Sequence, residues 1–209
     1  MDRGAPTPTK RVACRGPYAR RRSAPYTLCV KIYTKTGDRG ETAFLNGQRI
    51  SKADPRVVAY GEVDELGAWL GVARAEQNLD PDLIEMLTAI QRDLFSVGAR
   101  LADPTTRLAG KVTKVVMGDD SVRKLEAWID RFDAELPPLR QFILAGGTRA
   151  GAALHLARAV CRRAERGIVS LGAESVHPAI LAYINRLSDL LFVMARVVNH
   201  RAGVSEIEW

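Results

Sequence analysis

Five stretches of this chain repeat apolar residues at three- and four-residue spacing, and that periodicity leaves little choice of architecture. Asp54-Pro55 opens the first, where Ala59, Val63, Leu66, Leu70 and Ala73 run toward Gln77. Asp80-Pro81 opens the second, with Leu83, Leu87, Ile90, Leu94, Val97 and Leu101. Proline suits a first helical turn, where its missing N–H has no partner to lose. Val122, Leu125, Ile129 and Phe132 follow Asp120 and stop before Pro137-Pro138. Gly146-Gly147-Thr148 supplies a turn and a capping hydroxyl for a fourth helix reaching about Leu171. His177-Pro178 starts the last, which turns Leu181, Ile184, Leu187, Leu191, Met194 and Val198 inward. The pattern predicts an all-α five-helix bundle. Strands do not alternate with helices, so a Rossmann or P-loop sheet is not expected.

The bundle accounts for residues 31–202 and leaves a basic extension, 1–30, and a short tail, 203–209. Residues 30–34 read as a short extended segment, and 37–47 and 103–119 as loops, the last holding Arg107, Lys111 and Lys114. A chain of 209 residues is long enough for one such core.

The net charge of +7 invites a nucleic-acid reading until its placement is seen. The first 30 residues hold seven basic side chains against Asp2 alone, leaving 24 basic and 23 acidic residues elsewhere. A nearly neutral body offers no broad basic footprint for DNA or RNA. The extension is rich in proline and poor in apolar residues, which predicts that it does not fold alone. Arginine-rich and acid-poor, it leaves two locations open: cytoplasmic, or mitochondrial matrix if it is a transit peptide. No apolar run approaches the roughly 18 residues of a membrane span.

Cys14, Cys29 and Cys161 are too scattered for a metal knuckle, and His155, His177 and His200 show no HExxH spacing. A metal site built from protein ligands alone is therefore not expected.

Polar residues adjoin the apolar stripes of three helices. Asp64 shares a face with Tyr60, Gly67, Ala68 and Gly71, small residues that let another helix approach and shield the carboxylate. In the fourth helix His155, Arg158, Arg162 and Glu165 or Arg166 line one side, and in the fifth Asn185, Ser188 and Asp189 stack within one turn. Singly, each pattern is more often a solvated face or a cap. Together they predict a polar layer in the bundle, and because buried ion pairs stabilise poorly, such a layer suits a ligand. The stretch "TKTGDRGET" adds hydroxyls at Thr34, Thr36 and Thr42, approachable backbone at Gly37 and Gly40, and charge at Lys35. Those groups suit a phosphate nest, although a threonine-glycine loop is more often a plain turn.

"TKTGDRGET", "VVAYGEVDEL", "FILAGG", "LHLARAVCRRAER" and "NRLSDLLFVMAR" stand here in an order and spacing that resembles the PduO-type ATP:cob(I)alamin adenosyltransferases. The resemblance covers roughly residues 31–200. It implies a homotrimer of five-helix bundles with sites between subunits, binding ATP with Mg2+ and a cobalamin. The Co(I) form would attack the 5′-carbon of ATP and expel triphosphate. By motif, Thr34, Lys35, Thr36, Gly37, Thr42 and Ala43 would form the ATP loop and Lys52 would reach the phosphates. Arg162, Arg163, Ala164, Glu165 and Arg166 of "RRAER" would hold the nucleotide, with Asn185 beside it. Asp64 and Arg158 would pair across a subunit boundary, and Phe142 would lie against the corrin and help exclude its lower axial ligand. Asp64, Phe142, Arg158 and Arg162 would thus serve the catalytic step. A reductase or an adenosylcobalamin-dependent enzyme is the protein partner that the resemblance leaves open. Two positions depart from the family pattern, Ala145 in "FILAGG" and Gly67 after "DEL", and neither removes a ligand-binding group. A bundle of another class, an ATP sensor or corrinoid carrier without turnover, would carry similar motifs.

Overall fold

The computed structural model describes residues 33–77, 79–103 and 118–209. The extension, residues 30–32, Cys14, Cys29, Arg107, Lys111 and Lys114 lie outside them. Tyr33 and Thr34 close a leading unit, Met1–Thr34, and everything from Lys35 to Trp209 forms a second compact unit.

Among the described residues five α-helices build the second unit, α1 (Pro55–Ala75), α2 (Pro81–Leu101), α3 (Asp119–Asp133), α4 (Arg149–Val169) and α5 (Pro178–Arg201), with one short 3-10 turn at Ala173–Ser175. Their starts follow the expected chemistry. The Asp54 carboxylate accepts from the Arg56 N–H at 2.9 Å, and Pro55 occupies the first turn of α1. The Thr148 hydroxyl accepts from Gly151 at 3.0 Å, and the His177 imidazole accepts from Ala179 at 3.2 Å. Each cap satisfies an N–H that the helix itself cannot. His177 is therefore occupied as a cap. Two ends come a turn fraction early, α1 at Ala75 and α4 at Val169, as fraying helix termini do.

α1 packs against α2 and α4, and α5 packs against α4 and α3. Ion pairs between α2 and α3, Asp82–Arg131 at 2.6 Å and Asp93–Lys124 at 3.4 Å, draw the outer helices together. Leu66, Leu70, Leu87, Ile90, Leu154, Ile184, Leu187 and Leu191 are fully enclosed, each contributing about 1.5–3 kcal/mol of hydrophobic stabilisation. By length and composition α5, at 24 residues, is long and apolar enough to cross a membrane, which the sequence expectation overlooked. In this fold its apolar faces are spent on α3 and α4.

One element differs in kind. Residues 37–47, expected as loop, contain β1 (Glu41–Ala43), which pairs antiparallel with β2 (Arg49–Ser51), Thr42 opposite Ile50. Asn46-Gly47 makes the turn: the Gly47 N–H donates to the Phe44 carbonyl at 2.9 Å and Asn46 Oδ1 accepts from Gln48. Phe44 is buried, and the Leu45 N–H donates to the Ala102 carbonyl at 3.2 Å, fastening the hairpin to the end of α2.

Candidate functional site

The antiparallel course of the helices decides what gathers where. Glu62 and Glu65 of α1 face Arg163 of α4, while Arg56 of the first α1 turn reaches the Ser175 carbonyl beyond α4. Asn185 of α5 faces Glu165, and Asn199 faces Thr148. The start of α1, the end of α4 and the start of α5 therefore share one end of the bundle. The hairpin leads directly into α1, so Lys35, Thr36, Gly37, Thr42, Ala43 and Lys52 stand at that end, while Arg162, Glu165, Arg166 and Asn185 lie on the halves of α4 and α5 that run toward it. The positive ends of two helix dipoles, α1 and α5, point the same way and favour an anion.

The loop ahead of β1 is held by its own backbone and by two cations. Gly40, at φ +79°, takes a conformation costly for any side chain, and its N–H donates to the Gly37 carbonyl at 3.2 Å. Lys52 is clasped there: its N–H donates to the Gly40 carbonyl at 2.8 Å, and its ammonium lies 3.2 Å from where a Gly37 Cβ would stand. Gly37 leaves room for that ammonium. Arg49, which the sequence reading missed, donates to the Thr36 carbonyl at 2.7 Å and pairs with Glu41 at 3.3 Å. Its signal was the Asn-Gly hairpin that sets it opposite Ala43. Thr34 belongs to the leading unit.

Along α4 the motif residues diverge. Arg162 and Arg166 are exposed, and Arg166 donates to the Arg162 carbonyl at 2.9 Å. Glu165 accepts from the Asn185 amide at 3.0 Å. Arg163 turns toward α1, where it pairs with Glu65 and lies 3.6 Å from Glu62. Gly167 admits this packing, since a Cβ there would meet the Glu62 carboxylate at 2.6 Å. Ala164 is fully buried, so its side chain presents nothing to a ligand.

The polar layer expected inside the bundle is not formed within one chain. Asp64 is exposed on the far side of α1, in a groove of about 640 Å³ shared with α2 and lined by Tyr60, Gly61, Gly67, Ala68 and Gln91. Phe95, 79% exposed, stands beside it. Gly67 and Gly71 admit Gln91 of α2, which donates to the Gly67 carbonyl at 2.8 Å, but within a single chain the carboxylate of Asp64 stays exposed and is not shielded. Arg158 lies elsewhere, its guanidinium 5.4 Å from the centre of the Phe192 ring, whose other neighbour is the edge-on imidazole of His155 at 6.0 Å. Burial, seconded by the Arg158 charge, lowers the His155 pKa below its ordinary 6.5. Asp189 pairs with Arg186 at 2.9 Å, and Ser188 is buried with its hydroxyl on the Asn185 carbonyl.

Phe142 stands at the opposite end, 78% exposed, on the segment between α3 and α4. Its carbonyl accepts from the Trp209 N–H at 2.9 Å, and the Leu144 N–H donates to Ile207 at 2.8 Å. Residues 204–209 thus pair with this segment, a contact no sequence pattern announced. Cys161 is buried and its thiol is pushed up to about 12 by desolvation, so it is no nucleophile at neutral pH. Among the described residues no group of three or more His, Cys, Asp or Glu could hold a metal.

Fold and site define a helical bundle with a glycine-threonine loop and exposed arginines at one end and an open apolar groove on its flank. A family model described as cobalamin adenosyltransferase matches residues 32–198, and the chain belongs to that family. It is 45% identical over 184 residues to the corrinoid adenosyltransferase of Bacillus subtilis strain 168, covering 86% of this chain and 92% of that protein. It is likewise 45% identical over 180 residues to the cobalamin adenosyltransferase of Cupriavidus metallidurans, covering 86% and 94%. Among solved structures, it resembles a phenylalanine-to-alanine variant of the PduO-type ATP:corrinoid adenosyltransferase from Lactobacillus reuteri, complexed with cobalamin and ATP. That likeness has a TM-score of 0.79 at 39% identity and covers 86% of this chain and 99% of that one.

Proposed function

We infer that this chain transfers the 5′-deoxyadenosyl group of ATP to the cobalt of cob(I)alamin, giving adenosylcobalamin and triphosphate. The observation that carries the reading is the likeness, over most of both chains, to a structure holding both cobalamin and ATP. In the reaction the Co(I) electron pair forms the bond to C5′, the C5′–O bond breaks, and triphosphate leaves with that bond's electrons. The cobalt substrate is its own nucleophile, so no serine triad or general base is called for. The protein's work is to bring carbon and cobalt together and to stabilise the departing charge.

Lys35, Thr36, Gly37, Thr42, Ala43 and Lys52 fit the phosphate side of that task. Arg162 and Arg166 offer forked donors to phosphate oxygens. The Glu165–Asn185 pair offers hydrogen-bonding groups for the nucleoside. Arg163, already paired with α1, serves by holding the helix that carries its neighbours. Mg2+ in this reading arrives with the triphosphate, coordinated chiefly by phosphate oxygens and water.

The groove around Asp64 is read as the seat of a second subunit. Asp64 exposed in one chain and Arg158 beside Phe192 suit a pair made between copies, as in a homotrimer with sites at the boundaries. Phe142 is read as lying against the corrin face opposite the reacting one. The bacterial relatives favour a cytoplasmic location over a mitochondrial one.

Mixing the full chain with chemically reduced cob(I)alamin and ATP tests the reading. Appearance of the adenosylcobalamin spectrum, light-sensitive and dependent on ATP, is the expected result. Binding of both molecules without turnover would instead leave a sensor or carrier.

A further inference from the structure

Phe142 sits on a segment with no helix of its own, so its place must be fixed from outside. Two buried polar side chains of α5 fix it. Asn199, 5% exposed, accepts from the Thr148 N–H at 2.9 Å and hydroxyl at 3.0 Å, and donates to the Gly146 carbonyl at 2.9 Å. Gly147 and Gly151 make room for that amide: a Cβ on either would come within 2.3 or 2.2 Å of it. Arg196, 3% exposed, donates to both Glu206 carboxylate oxygens at 2.6 and 3.2 Å and to the Pro137 carbonyl at 2.9 Å.

Pro137 and Gly146 bracket Phe142, so α5 grips the segment on both sides. Glu206 belongs to residues 204–209, whose Trp209 N–H holds the Phe142 carbonyl and whose Ile207 carbonyl holds the Leu144 N–H. The same arginine therefore sets both partners of this short pairing. A charge this deeply buried costs desolvation that an aliphatic residue would avoid, so stability alone is a poor reason for it.

We infer that Arg196 and Asn199 are positioning residues for the corrin side of the site. They hold Phe142 and its partner stretch at one height, and their loss is read in the adenosyl-transfer step while ATP binding is spared. The inference rests on the reading of Phe142 given under the proposed function.

The test uses the full chain with Asn199→Asp, Glu206→Gln and Phe142→Ala. Asn199→Asp keeps the acceptor and loses the donor to Gly146, while Glu206→Gln keeps the shape and removes the charge facing Arg196. For each, kcat, the KM for ATP, far-UV circular dichroism and the visible spectrum of bound cob(II)alamin in the presence of ATP are measured. The first two variants are expected to lose about tenfold or more in kcat, with the ATP KM within about twofold of the parent. Their bound cob(II)alamin retains more of its lower axial ligand. Folded variants with parental kcat and spectrum overturn the positioning role. So does a fall in kcat and helical signal together with a rise in the ATP KM, which marks a merely structural one. If Phe142→Ala itself leaves rate and spectrum unchanged, the reading of Phe142 falls and takes the inference with it. If Phe142→Ala is impaired while the other two are normal, only the positioning role falls.

Discussion

Arg162 and Arg163 are neighbours in sequence and opposites in situation. The first is exposed on α4; the second is spent on Glu62 and Glu65 of α1. Arg162→Lys keeps the charge but loses the fork, so ATP use should weaken by up to about 1.5–3 kcal/mol, a rise in the ATP KM or fall in kcat without change in Tm. Arg163→Gln should do the reverse, lowering stability by about 0.2–1 kcal/mol, the range for a partly exposed pair, with near-parental ATP kinetics. Equal kinetic damage from both would contradict the division. His155 makes a pH prediction. Its folded pKa lies below the ordinary 6.5, so below that pH the unfolded chain takes up a proton that the folded one resists. Stability is therefore lost as pH falls from about 6.5 toward the depressed folded pKa and is unaffected by this group above it. Thermal scans between pH 7.5 and 5.5 should show a steeper decline for the parent than for His155→Gln. Parallel curves would refute it.

Among the elements, the joint between α4 and α5 is the most exacting. Gly147, at φ +97°, has the Asn199 amide 2.3 Å from where its Cβ would be. Gly147→Ala combines a strained backbone with a collision and should cost at least about 2 kcal/mol, a fall of roughly 4–8 °C in Tm. A Tm within a degree of the parent would mean that the joint is slack. All five helices were legible in the sequence because each carries its period; Thr148 caps α4 as expected, and at the expected starts of α1 and α5 the structure adds caps from Asp54 and His177. The hairpin was less so. Its strands are three residues each, too short for alternation to register, although Asn46-Gly47 signalled the turn. The 204–209 pairing had no signal at all, since it depends on where α5 delivers the chain. Of the candidate site, motif order led to Arg162, Glu165 and Asn185, and the fold brings Glu165 and Asn185 into a hydrogen bond with Arg162 exposed beside them. Ala164 fills the motif's core-facing position, and only the fold distinguishes Arg163, turned to α1, from its exposed neighbour Arg162.

At the scale of the whole molecule, Asp64 and the groove around it are a surface without a partner in a single chain. If the groove seats a second subunit, Asp64→Asn should damage assembly and turnover together, and removing one member of a buried pair costs about 3–5 kcal/mol. Light scattering and turnover for Asp64→Asn, Arg158→Gln and the double variant would show losses that fail to add. Strictly additive losses would mean that the two side chains never meet. The central claim, though, concerns which bond of ATP breaks, and one measurement reaches it directly. ATP labelled with 13C at the ribose 5′ position is turned over with cob(I)alamin, and both products are read by NMR. The expected result is the label in a cobalt-bound methylene and an equimolar yield of intact triphosphate. Label remaining in ADP or AMP, with phosphate or diphosphate released and none bound to cobalt, would contradict it.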